Sequence, residues 1–198
     1  MFFIYVSLHN KILNKMFFNK KNKDIINFSG ILYKLIVEQA RTKAFYRELK
    51  VPDTIDGRFE LIVLHFFLLE RRLDKKNKKD QLIYKEILEI MYKDFDMSLR
   101  EMGVGDLSVG KKIYHMTEAF SGRLFAYRKF STKKNINGIK RTIKRNIYGT
   151  IKDIDEKFIK IMKTYIFDSM DFLDKIKIDK VSKNSAIFLD LNRYINNK

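Results

Sequence analysis

The sequence has 198 residues, of which 45% are hydrophobic and 33% are charged, with one proline and no cysteine. This length suits one domain with a single hydrophobic core, and the apolar content is too high for a disordered chain. A chain without cysteine has no disulfide framework, thiol nucleophile or thiolate metal site. The most apolar stretch, residues 61–69, contains a histidine and falls short of the about 20 residues that a membrane-spanning helix needs.

The formal net charge is +17, and most of it comes from residues 1–36 (+5) and 131–198 (+8), whereas basic and acidic residues nearly balance in the middle of the chain (+4). Basic ends favour phosphate-rich partners such as ribosomal RNA, or an anionic membrane surface. The simpler interpretation, solvated lysines without a specific partner, stays open beside it.

Residues 1–23 are interpreted as an N-terminal tail. Residues 1–8 are apolar but few, and the lysines follow this run rather than precede it, unlike the order in a signal peptide. Because Met16 is a plausible alternative start, we expect residues 1–15 to be an upstream-start extension or a loose tail.

Helical periodicity extends over residues 24–176 and predicts an all-α fold, a single compact bundle-like domain of about six to eight helices. An apolar stripe in the segment 31–49 predicts the first helix. Pro52 breaks the helix there, and Asp53 or Thr54 is expected to cap the next one. Residues 58–73 are apolar on nearly every face, which is typical of a helix at the centre of a bundle.

A polar connector at 71–80 precedes an amphipathic helix, and Gly103, Gly105 and Gly110 then predict a turn. Asp106 or Ser108 is expected to cap the following helix, in which Gly122 predicts a close approach of another helix. Its apolar residues have the spacing of a core stripe: Val109, Ile113, Met116, Phe120, Leu124 and Tyr127. Further helices are expected at 136–148 and 151–176, and a short one at 185–195 within a basic tail, residues 177–198.

No motif predicts catalysis. Residues 105–111 satisfy the spacing of a phosphate-binding loop, but Lys112 occupies the hydroxyl position, and a helix rather than a strand precedes the loop. His115 and Glu118 share a helical face without the further ligands of a metal site, and His65 is expected to be a core histidine. We therefore predict a protein that is not an enzyme and holds no metal or cofactor.

Eight of the 11 arginines lie in residues 37–130, where they suit either an internal lattice of ion pairs or a protein-docking surface. Their expected acidic partners are Glu38, Asp53, Asp56, Glu60, Glu101 and Asp106.

Several of these segments resemble the two signatures of the ubiquinol–cytochrome c chaperone family. The first is similar to residues 37–41 (VEQAR), 45–46 (FY), 51–54 (VPDT) and 57–61 (GRFEL). The second is similar to residues 94–96 (DFD), 98–107 (SLREMGVGDL) and 109–111 (VGK), and Met116, Phe120, Gly122 and Arg123 continue it. The resemblance covers about 37–130, and residues 146–149 (NIYG) resemble the next block.

This resemblance implies that residues 24–176 form an all-α, non-enzymatic chaperone that assists assembly of ubiquinol–cytochrome c reductase (complex III) and binds newly made cytochrome b. The implied partners are cytochrome b or other complex III subunits, the ribosome near its exit tunnel, a small partner protein and the membrane periphery, but not DNA. The implied location is the cytoplasm, at the inner face of a bacterial inner membrane, or the matrix side in a eukaryote. The short ends favour a bacterial source.

We expect the partner-binding surface to contain Arg41, Tyr46, Arg58, Arg100, Glu101, Asp106, Lys111, Arg123 and Tyr127. Met97, Met102, Phe125 and Phe130 could add an apolar face, although burial is expected at most of these positions. The alternative is a basic helical module that binds the ribosome or RNA without a respiratory role. The charge of residues 131–198 supports it, including Lys140, Arg141, Lys144 and Arg145.

Overall fold

Helices form all the regular structure of the computed structural model, which describes residues 20–131 and 135–195. The elements are α1 (Lys20–Ala40), α2 (Lys43–Arg47), α3 (Ile55–Glu70), α4 (Lys78–Glu101), α5 (Asp106–Phe130), α6 (Ile136–Asn146), α7 (Glu156–Leu173), a 3-10 turn (Ile178–Lys180) and the single turn α8 (Asn192–Ile195). No strand occurs in these two ranges. The prediction of an all-α fold with six to eight helices is confirmed, while the expected extension at residues 1–15 lies outside the described residues.

The first predicted helix is divided into α1 and α2 by Arg41 and Thr42. After Pro52, the hydroxyl of Thr54 accepts a hydrogen bond from the backbone N–H of Gly57 (3.1 Å) and caps α3. Of the two expected caps, Thr54 is therefore correct, and Asp53 pairs with Arg58 instead.

Helix α3 lies at the centre of the fold and packs against α1, α5 and α7. All its residues from Phe59 to Glu70 are buried, as the apolar run predicts. Around it, α1 also packs on α4, α4 on α5, and α6 lies between α5 and α7.

A hydrogen-bonded chain crosses the core through the fully buried His65. His65 Nδ1 lies 2.7 Å from the carbonyl oxygen of Leu61, which can only accept, so this nitrogen carries the proton. Nε2 therefore accepts from the Tyr165 hydroxyl (2.7 Å), which itself accepts from the Gln39 amide (3.0 Å). The Gln39 amide also donates to the carbonyl of Leu189 (3.0 Å), so this chain joins α1, α3, α7 and the segment before α8.

Burial keeps the His65 imidazole neutral by lowering its pKa to about 4. The rings of Phe45 and Phe188 pack edge-on against it, with centroid distances of 5.5 and 4.9 Å. The expectation of a core histidine is confirmed.

The segment expected as a basic tail contributes to this core. Val181, Ile187, Phe188, Leu189 and Leu191 are buried, and the short helix α8 follows them. At the other end, Lys20 and the residues after it are already part of α1, within the segment interpreted as a tail.

Two expectations about glycines and caps near α5 are wrong. Gly105 occupies the N-cap of α5 without a side-chain hydrogen bond, so neither Asp106 nor Ser108 caps this helix. A Cβ placed on Gly122 would meet no atom within 4 Å, so no helix approaches there among the described residues. The turn itself depends on Gly103, whose φ of +80° lies in the left-handed region that favours glycine.

Replacing Tyr165 by Phe should lower the free energy of unfolding by about 2 kcal/mol, because His65 Nε2 loses its buried donor. Tyr114→Phe is the matched control, since the Tyr114 hydroxyl bonds Glu118 at the surface (2.9 Å) and its loss should change stability by less than about 0.5 kcal/mol. Urea unfolding monitored by circular dichroism measures both. Equal effects would contradict the assigned network.

Gly57→Ala should destabilise the fold by at least about 2 kcal/mol, because the new Cβ would lie 1.9 Å from the carbonyl oxygen of Pro52, a backbone atom. Gly122→Ala should stabilise it by about 0.5–1 kcal/mol, because its surroundings are open and alanine is the better helix former. Thermal unfolding of the two variants should therefore give shifts of opposite sign. Shifts of the same sign would show that the Gly57–Pro52 contact relaxes.

Candidate interaction site

Three of the nine residues expected at a partner surface meet in one cleft. Arg41 follows α1, Tyr46 lies on α2 and Arg58 on α3, and these elements enclose an open cleft of about 510 Å³. Its lining is completed by Lys43, Arg47 and Asp53. Four cationic side chains thus face one carboxylate, so the cleft suits an anionic group.

Tyr46 and Arg58 are held in place within this cleft. The Tyr46 hydroxyl donates to the carbonyl of Ala40 (2.6 Å), and burial raises the pKa of this phenol to about 12, which keeps it neutral. Arg58 Nε donates to Asp53 Oδ1 (2.7 Å). Arg41 and Arg47 are exposed, and no acidic side chain in the described ranges forms an ion pair with them. These two arginines remain available to a ligand.

Four further predicted residues lie where α4 turns into α5. Arg100 Nε bonds Asp96 Oδ2 (2.7 Å), and the same guanidinium pairs with Asp106 at the start of α5. Arg100 and Asp106 therefore join the two helices across the glycine turn. Glu101 and Lys111 are exposed, and neither has an ion-pair partner in the part of the chain that the structure describes.

The last two predicted residues, Arg123 and Tyr127, face the interior. Arg123 Nε donates to Glu60 Oε1 (2.7 Å), and the Glu60 side chain is only 4% exposed. Tyr127 is 0% exposed and stacks on Phe67 with a centroid distance of 5.3 Å. The expectation that Tyr127 contacts a partner is wrong. This residue belongs to the core stripe of α5, and a buried ring cannot reach a partner in this fold.

A second arginine of α5, Arg128, pairs with a carboxylate of α3. The sequence analysis did not name this carboxylate, Glu70, as an expected partner. Arg128 Nε donates to Glu70 Oε1 (2.6 Å), and the Glu70 side chain is 5% exposed. A buried carboxylate is costly unless it is paired. The signal available in the sequence was Glu70 at the end of an otherwise apolar helix. Of the expected acidic partners, Asp53, Glu60 and Asp106 do pair with arginines, whereas Glu38 pairs with Lys34 (3.5 Å).

The apolar side chains of the α4–α5 region are more exposed than expected. Met97, Met102 and Phe125 are 59%, 51% and 64% exposed, which corrects the expectation of burial, while Phe130 is partly buried against the core. Leu107, on the first turn of α5, is fully exposed.

Neither metal ligation nor membrane spanning is evident in the described residues. No three His, Asp or Glu side chains among them lie close enough to hold a metal ion, and His115 and Glu118 form only an exposed pair (3.5 Å). None of the described helices is long and apolar enough to cross a bilayer. Residues 106–111, which belong to the segment with the spacing of a phosphate-binding loop, form the start of α5 and not a loop.

These features define an all-α protein whose exposed cationic and apolar side chains suit it to binding other polypeptides. The chain belongs to the family described as Ubiquinol-cytochrome C chaperone, whose sequence profile matches residues 47–188. The resemblance found in the signatures is thereby confirmed.

Known proteins similar to the chain include assembly factors. It is 22% identical to ubiquinol-cytochrome-c reductase complex assembly factor 1 of Xenopus laevis, over 79% of this chain and 78% of that protein. The human protein of that name is 22% identical over 86% of this chain and 58% of its own length, and the mouse protein over 73% and 48%. The crystal structure of the Cbp3 homolog from Brucella abortus superposes with a TM-score of 0.73 and 28% identity, covering 96% of this chain and 98% of that one.

Stability should depend on pH through Glu60, because burial raises the pKa of this carboxyl to about 7, although Arg123 opposes the shift. The folded state then holds a proton that the unfolded state releases near its ordinary pKa of about 4.3, so stability falls as pH rises between these values. Asp56 adds to the shift, whereas Arg145 opposes it.

Relative to Glu60→Gln, which carries no titrating proton, the wild type should lose about 2 kcal/mol of unfolding free energy between about pH 5 and pH 7.5. Urea unfolding of both proteins at each pH measures the difference, in which the titration of other groups cancels. A wild type that gains stability as pH rises would show that the Arg123 pair outweighs burial.

Proposed function

We propose that this protein is a non-enzymatic assembly chaperone of ubiquinol–cytochrome c reductase that binds newly made cytochrome b during its maturation. The observation that carries the proposal is membership of the chaperone family over residues 47–188. The relatives named as complex III assembly factors support it as well.

The cationic cleft is the proposed first contact with the client. Arg41 and Arg47 are exposed at its rim, and Tyr46 and Arg58 are held by hydrogen bonds, so an acidic segment meets a preformed surface. At the α4–α5 turn, Glu101 and Lys111 are the proposed contacts, while Arg100, Asp106 and Arg123 support the surface through their ion pairs.

The wider setting is part of the same proposal. A protein that receives a membrane subunit early acts beside the membrane, in the cytoplasm of a bacterium or on the matrix side of a mitochondrion. Ribosomes near the exit tunnel, other complex III subunits and a small partner protein are further proposed partners. The alternative, a ribosome- or RNA-binding module without a respiratory role, draws no support from the relatives, whose names are those of assembly factors.

Affinity capture of the tagged full-length protein from gently solubilised native membranes should enrich cytochrome b, identified by mass spectrometry. The double variant Arg41→Glu with Arg47→Glu should lower its recovery by about tenfold, because both charges at the cleft rim are reversed. The matched control is Lys75→Glu with Lys76→Glu, which reverses two exposed charges in the connector before α4 and should change recovery by less than about twofold.

Each remaining outcome has a distinct meaning. Wild-type protein that enriches no cytochrome b, or only ribosomal proteins, contradicts the chaperone role. Equal losses in the cleft and connector variants would mean that overall charge, rather than the cleft, governs capture.

A further inference from the structure

One interval of the chain is basic without any acidic residue. Residues 119–152 contain ten basic side chains and no Asp or Glu, and this is the longest acid-free interval in the sequence. At its start, Arg123 and Arg128 are committed to the buried carboxylates of α3. Helix α6 lies in the same interval and carries four more of the ten, Lys140, Arg141, Lys144 and Arg145.

Helix α6 has two different faces. The residues of its inner face are packed into the fold: Gly138, Ile139, Thr142, Ile143 and Asn146. By the helical period, the four basic side chains share the opposite, outward face. Three of them are exposed, and Lys140 is partly exposed. Four cations thus lie within about 8 Å along the helix axis. We call the surface formed by these four residues the basic face.

The other long helices of the described residues lack such a face. Each of α1, α3, α4, α5 and α7 contains at least two acidic residues, whereas α6 contains none. Within the basic face, Lys140 lies 3.4 Å from Glu156, and Arg145 Nε donates to the amide oxygen of Asn146 (3.1 Å). Arg141 and Lys144 form no ion pair among the described residues. Their charges are therefore available to an anionic partner.

A bilayer with anionic lipids fits the basic face. The surface of such a bilayer is negative over its whole area, and it attracts clusters of about four to eight Lys and Arg residues on a helix. The basic face supplies four of them. Ile136, which is 47% exposed, lies one turn before Lys140 on the same side of α6. An apolar side chain beside cations suits the boundary between headgroups and acyl chains.

RNA is the other polyanion that a basic face attracts, but α6 lacks the side chains that recognise its bases. Proteins bind single-stranded RNA by stacking the bases on aromatic rings. Helix α6 contains no aromatic residue. Charge complementarity together with the exposed Ile136 therefore favours a bilayer.

We propose that the basic face of α6 binds the anionic headgroups of a membrane. Because the apolar side of α6 is already buried in the core, the helix lies on the headgroups and does not insert. The contact is electrostatic, so salt weakens it. Its biological setting rests on the proposed function, which places the protein beside a membrane. The inference adds which side of the fold faces that membrane.

The test is cosedimentation of the full-length protein with phosphatidylcholine vesicles that contain or lack phosphatidylglycerol. Wild-type protein should bind only the vesicles with phosphatidylglycerol. Raising the ionic strength from about 0.05 M to about 0.5 M should release most of it, because salt screens the attraction between exposed charges. Arg141→Glu with Lys144→Glu should weaken binding by at least about tenfold, because each basic residue near an anionic surface adds to the affinity.

Lys78→Glu with Lys85→Glu is the matched control. It changes the net charge by the same amount at two exposed positions of α4, a helix that packs on α1 and α5. Binding should weaken by less than about twofold, because these charges lie outside the contact and are screened. Equal losses in the two variants would mean that overall charge governs binding, which would overturn the assignment to α6. Circular dichroism of each variant checks that the fold is retained.

Failure of this inference is distinct from failure of the proposed function. If wild-type protein captures cytochrome b but does not bind anionic vesicles, the basic face is not a membrane contact, although the chaperone role stands. If it binds vesicles through α6 but captures no cytochrome b, the proposed function fails and the membrane contact stands. If the Arg141/Lys144 variant loses binding to an RNA oligonucleotide while its vesicle binding is unchanged, the basic face belongs to nucleic acid and the proposal is overturned.

Discussion

The complete burial of α3 is the constraint on which the rest of the structure depends. This helix is apolar on every side, yet it carries Glu60, His65 and Glu70 into the core, and each needs a partner from outside the helix. Arg123 and Arg128 of α5 pair with the two carboxylates, and Tyr165 of α7 hydrogen-bonds the imidazole. The positions of α5 and α7 around α3 follow from these contacts as much as from apolar packing.

The same contacts determine which side of α5 faces outward. Because Arg123 and Arg128 reach inward to the two glutamates, the helix cannot rotate without leaving buried carboxylates unpaired. Leu107, Tyr114 and Phe125 are thereby turned away from the core. The ion pairs of the interior thus help to decide which side chains of α5 are exposed.

Charge in this protein divides into two kinds with different roles. Arg100, Arg123 and Arg128 are committed to pairs that hold helices together. Arg41 and Arg47 line the cleft, and neither forms an ion pair among the described residues. A net charge of +17 alone does not distinguish these roles, since both kinds of arginine count equally in the sum.

Local chemistry determined much of the fold from the sequence alone. Pro52 and Thr54 mark the start of α3, and the run of apolar residues after it predicts a central helix, because backbone geometry and apolar burial act over neighbouring residues. The core stripe of α5 was also readable, and the family signatures pointed to a chaperone.

Only the tertiary structure decided what lies against each side chain. Periodicity gives the angle of a residue around its helix but not its neighbours, so it places Tyr127 on the core stripe of α5 without identifying Phe67 as the ring that it stacks on. Glu70 and Arg128, which pair in the core, are likewise far apart in the sequence. Leu189 and Leu191 are buried against helices that precede them by many residues. Such contacts depend on how the helices pack, and packing is a property of the whole chain.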